Sequence, residues 1–171
     1  MKPSKYREIQ NLIAEYGDAT KQLLDASKWM SARVVSEFPE FLGCDKKHIT
    51  GVPPFGEFDP KIEYRGASRS SYYEPVSFLD PVKIGICTQI QNLHDQGATW
   101  VRSVIHLTKS GSTLVAHVGE THQKVVLSDQ EDADLTKIFE ALHEDIRNAF
   151  EAELHEASAQ KRIGFIPQTV S

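Results

Sequence analysis

The chain has 171 residues, 40% apolar and 25% charged, with a formal net charge of −5. That is the make-up of a globular protein and excludes a strongly basic nucleic-acid binder. The longest apolar runs are only a few residues, so no transmembrane helix is expected, and the polar opening Met1–Glu8 lacks the apolar core of a signal peptide.

The fold class read from the pattern is α+β. N-terminal helices over 1–38 lead into an irregular Pro/Gly-rich segment over 39–82, then a sheet-plus-helix core over 83–156 and a tail over 157–171, all in a single domain. Ser4 is placed to cap a first helix whose apolar face carries Ile9, Leu12, Ile13 and Tyr16. Gly17-Asp18 either breaks the helix or is carried through it. Leu23, Leu24, Ala26, Met30, Val34 and Phe38 continue the stripe until Pro39, which is expected to end it. The expected role is a helical hairpin or one bent helix packed beside the sheet, with Trp29 and Met30 in the core.

Between Phe41 and Pro81 the prolines and glycines predict a long irregular stretch, with short edge strands at Lys61–Arg65 and Pro75–Leu79. Tyr64–Ser71 is basic and hydroxyl-rich. Arg forks and Ser hydroxyls donate to oxyanions, but no Walker or dinucleotide glycine pattern accompanies them. A solvated surface loop accounts for the stretch equally simply.

A four-stranded antiparallel meander is expected over 83–128. A two-residue turn at Ser110-Gly111 pairs Leu107 with Leu114 and Ile105 with Ala116. A turn at Glu120-Thr121 pairs Ala116 with Val125. A loop over His94–Gly97 pairs Ile86 with Ile105 and puts Gln89 opposite Arg102. All three hairpins put Ile84, Ile105, Ala116 and Val125 on one apolar face. Ser128-x-x-Glu131 then reads as a capping box. Leu135, Ile138, Phe139, Leu142, Ile146, Phe150 and Leu154 repeat at helical spacing, predicting a long helix over 129–156 laid across that face.

Three surfaces carry the functional expectations. The terminal helix is acidic: from Asp129 to Glu156 ten acids stand against Lys137 and Arg147, net −8, leaving +3 elsewhere. Glu140, Glu144, Asp145, Glu151 and Glu153, together with Trp100 on the sheet, are therefore candidate protein-binding residues. Such a surface steers a basic partner, as inhibitors, immunity proteins and chaperones can do, although acids also serve solubility alone. The second sheet face gathers Arg102, His106 and His117 as candidate catalytic residues of a small hydrolase or phosphotransfer enzyme, with His as acid or base and Arg stabilising negative charge. Apolar residues on that same face, Trp100, Val104, Val115 and Val126, call for a cover by the N-terminal helices, the long loop, a partner or a second copy of the chain, the last making a homodimer. His117-x-x-x-x-His122 straddles a turn and is a weak metal pattern.

Cys44 and Cys87 are far apart, without CxxC or metal spacing; two free thiols and no secretion signal predict a cytoplasmic protein. The reading that follows is a cytoplasmic, non-enzymatic protein-binding module with no cofactor and no metal. Its partner is another protein, not a membrane and not nucleic acid; the hydrolase or phosphotransfer enzyme is the alternative.

Overall fold

A computed structural model describes residues 2–70, 79–94, 97–155 and 163–166, without the side chains of residues 153, 155, 165 and 166. After residues 2–4 comes one 38-residue helix, α1 (Lys5–Leu42), carried through Gly17 and past Pro39. Ser4 Oγ accepts the Arg7 amide and caps its start, as expected. Pro39 lacks only one helical donor, and the helix runs on to a left-handed Gly43 (φ 72). There the Gly43 amide donates to Glu40 O and the Cys44 amide to Pro39 O, the paired bonds of a Schellman stop.

Strands β1 (Ile49–Val52), β2 (Val82–Gln91), β3 (Ala98–Ser110), β4 (Thr113–Val118) and β5 (Gln123–Ser128) follow, then helix α2 (Thr136–His155) and strand β6 (Ile163–Ile166). The sheet is antiparallel, in the order β1-β2-β3-β4-β5, and β6 pairs with the inner end of β3 beside β4. The expected meander is thus present, but β1 and β6 enlarge it. β1 lies within the stretch expected to be irregular, while Lys61–Arg65 forms a turn and the start of a 3₁₀ helix instead of a strand. Pro75–Phe78 lies outside the described residues.

Register separates the hairpins. β4 and β5 pair as expected, Ala116 with Val125 and Leu114 with Leu127. The other two hairpins are shifted by two residues: Ile105 faces Val118 and Leu107 faces Ala116, while Ile84 faces Ile105 and Cys87 faces Arg102. The β3–β4 turn is Gly111-Ser112, with Gly111 at φ 59. Only glycine takes a positive φ at the first turn position readily, which moves the turn one residue onward. At the β2–β3 end the Asn92 amide donates to Gly97 O, so the ladder closes on this pair, one residue earlier on each strand than expected. A shift of two leaves every side chain on its expected face.

That face is the core. Ile84, Ile86, Ile105, Leu107, Leu114 and Ala116 are fully buried. The second half of α1 and α2 as far as Phe150 cover it, with Leu23, Met30, Val34, Phe38, Leu135, Ile138 and Leu142 closed off from solvent, whereas Leu154, expected on the same stripe, is 81% exposed because the helix has run past the sheet. Each large side chain buried this way contributes about 1.5–3 kcal/mol. Phe38, Phe41 and Phe139 lock the two helices together, with centroids 5.7 to 6.1 Å apart.

The capping box at Ser128 does not form. Ser128 Oγ accepts the Gln130 amide, and α2 begins at Thr136, whose amide donates to Asp134. Arg33 is the cause: its Nη1 donates to the carbonyls of Glu131 at 2.8 Å and Ala133 at 2.6 Å. Those carbonyls face α1 and are not spent on a helical turn. Among the described residues no helix is long and apolar enough to cross a membrane.

Candidate functional site

The face of the sheet away from the helices is partly roofed. Gly85 lets the chain after β1 cross it: a Cβ there would collide with the carbonyl of Val52 and with Pro53. Glycine inside a strand marks such a close approach. The crossing segment is held by Arg102, whose Nη1 donates to Pro53 O (3.1 Å) and Gly56 O (2.8 Å). The guanidinium also sits 4.8 Å from the Phe58 ring centre, and Phe58 meets Trp100 edge-on at 4.7 Å. Trp100 lies against the backbone of Gly164, where a Cβ would collide with the indole.

The result is a cleft of about 910 Å³ lined by Trp100, Arg102, Val104 and His106 on the floor, Pro54, Gly56, Glu57 and Phe58 on one side and Gly119, Glu120 and His122 on the other. His106 and His122 meet edge-to-face at 5.2 Å. Burial pushes the His106 imidazole below its ordinary value, and His122, Lys83 and His117 press the same way. His106 therefore stands neutral near pH 7. Burial also lowers Arg102, which keeps its charge all the same.

The turn that carries His122 is fixed from the opposite side of the sheet. Gly119 (φ 72) and His122 (φ 51) are both left-handed, and the Gly119 amide donates to Val104 O. Asp145, on α2, accepts the Glu120 amide at 3.1 Å and the Ser103 hydroxyl at 2.6 Å. A Cβ at Gly119 would strike this carboxylate.

The expected site residues are thus dispersed. Arg102 and His106 share the cleft with Trp100, so Trp100 belongs to this wall and not to an open face. His117 sits directly across from His106 on β4 and faces Lys124 on its other side, but it does not line the cleft. His122, considered above only as a metal ligand, takes that place. Its left-handed backbone was the missed determinant, together with Gly85 and Pro53-Pro54 as the sign of a roof. Among the described residues no three His, Cys, Asp or Glu side chains gather to hold a metal.

On α2, Glu140, Glu144 and Glu151 are exposed, but Arg147 pairs with Glu151 at 2.8 Å and with Glu144 at 3.9 Å. Asp145 points inward and is 5% exposed, so it is not part of the outer acidic face. The Glu153 side chain lies outside the described residues. In the basic loop, Ser68 turns inward to Ser31 Oγ (3.3 Å), and Arg65 lies 3.9 Å from Glu63.

The most exposed apolar surface lies elsewhere. Tyr6, Ile9, Leu12, Ile13 and Tyr16, on the first half of α1, are between 48% and 71% exposed. They were expected to pack beside the sheet; instead every residue from Lys2 to Asp18 is exposed and Thr20 is the first buried one. No protein family, curated protein or solved structure matches the chain.

Proposed function

We propose that the protein is a non-enzymatic protein-binding module and that its docking element is the first half of α1. One observation carries the reading: the unbroken apolar row Ile9, Leu12, Ile13, Tyr16 on a regular helix, each side chain 48% exposed or more even though the Tyr16 hydroxyl accepts the Leu79 amide. Large contiguous apolar patches mark interaction sites, and helical stretches in proteins gain most of their stability from packing of an apolar face. Glu140, Glu144 and Glu151 supply charge that orients a basic region of a partner, with Arg147 tempering the last two.

The test uses the full chain and an Ile9→Asp/Leu12→Asp variant, both checked for fold by circular dichroism. A polypeptide that binds the wild type and is lost by the variant, reproduced with purified components, supports the reading. Equal behaviour of both proteins in every association measurement overturns it.

The cleft favours a second reading, a small hydrolase or phosphotransfer enzyme. There a neutral His106 takes the proton of an attacking water or hydroxyl as the new P–O bond forms, His122 gives its own proton to the departing oxygen as the old P–O bond breaks, and Arg102 faces the developing negative charge. Loss of a phosphoesterase activity in both His106→Ala and His122→Ala, with His117→Ala active, would favour it. Turnover indifferent to all three would exclude it.

A further inference from the structure

The docking row has a symmetry that selects its occupant. Ile9 and Tyr16, and Leu12 and Ile13, are each placed evenly about a point midway between residues 12 and 13. At about 100° per residue, Ile9 and Tyr16 lie near the centre of one helix face, and Leu12 and Ile13 flank it on either side. A row that is unchanged by end-to-end reversal is complementary to itself when two helices run antiparallel about a two-fold axis.

We infer that the first half of α1 pairs antiparallel with the same segment of a second copy of this chain, with Ile9 against Tyr16 along the centre, Leu12 beside Leu12 on one flank and Ile13 beside Ile13 on the other. This rests on the docking reading above and names its partner. Two further features agree with it. The first is length. The free segment starts at Lys5 and the body begins at Thr20, the first buried residue. In this register Lys5 of one copy falls opposite Thr20 of the other, so each free segment ends where the other body starts.

The second feature is shape. Tyr6 lies on the same side of the row as Gly17, Lys21 and Leu24. Reversal brings Tyr6 of the second copy beside a hollow of about 360 Å³ lined by Tyr16, Gly17, Thr20, Lys21 and Leu24. Gly17 has nothing within 4 Å of where a Cβ would stand. A glycine in an exposed helix interior is unfavourable by itself; here it leaves room for an incoming ring. On the other flank Glu8 and Glu15 come together with their counterparts, so salt, which screens like charges, tightens the pair.

Sedimentation equilibrium of the full chain is the test. The expected mass is twice 19.2 kDa, falling to that of one chain in Ile9→Asp/Ile13→Asp. Gly17→Leu, which fills the hollow, raises the dissociation constant at least about tenfold. Register is read by cross-linking in a Cys44→Ser background: Ile9→Cys mixed with Tyr16→Cys forms a disulfide, and Ile9→Cys alone does not. A cross-link of Ile9→Cys with itself overturns the antiparallel register. A monomer at every concentration, or a dimer that weakens steeply with salt, overturns the self-pairing. If that monomer still loses a defined purified partner on Ile9→Asp/Ile13→Asp, the docking reading stands; if the variant changes nothing, both fall.

Discussion

The two halves of α1 carry the same apolar spacing and meet different fates. From Thr20 to Phe38 the stripe is closed off beneath the sheet, whereas from Tyr6 to Tyr16 it faces solvent. Periodicity fixes which side of a helix is apolar. It says nothing of whether a neighbour is there, because the neighbour is set by where the sheet ends.

The largest effect should come from the inner half. Leu23→Ala is expected to cost about 2–5 kcal/mol in denaturant unfolding, while Leu12→Ala stays within about 0.5 kcal/mol for the monomer. Equal costs would break the comparison. Next comes the carboxylate that reaches across the sheet. Asp145→Ala removes the acceptor of the buried Ser103 hydroxyl and the Glu120 amide, and a loss of about 1–3 kcal/mol is expected by the same measurement. Gly17→Ala should stabilise the monomeric helix by about 1 kcal/mol, because nothing occupies the space of its Cβ.

The smallest effect is a pH dependence. His106 is held below its ordinary value of 6.5 in the fold, so the unfolded chain binds the proton more readily. The stability linked to it is complete above about pH 6.5 and lost as pH falls through the lowered native value. In urea titrations from neutral pH to pH 5, His106→Asn should show a shallower acid loss than the wild type. An identical slope would remove His106 as the cause.

How much of this was legible in the sequence follows from what each signal encodes. Both faces of the sheet were readable because alternation survives a slip of two residues; the registers were not, because the position of a turn depends on one dihedral, that of Gly111. β1 was too short and too close to Pro53-Pro54 to stand out. The start of α2 was misplaced because Arg33, about a hundred residues upstream in the chain, claims carbonyls that a local capping rule assigns to the helix. Arg102 and His106 were found as neighbours on one face. His122 was not joined to them, since turn residues do not follow alternation.

β3 has a consequence for how the chain is made. Its outer end is joined to β4, but the edge at Ala98–Val101 is paired by Ile163–Ile166, more than sixty residues later. During synthesis that edge must wait, with its amides and carbonyls open, until the last strand has left the ribosome. An unpaired edge is a template for another chain, and the exposure is longest where translation is slow. The yield of native protein should therefore depend on synthesis rate and crowding of nascent chains more than on the stability of the finished fold.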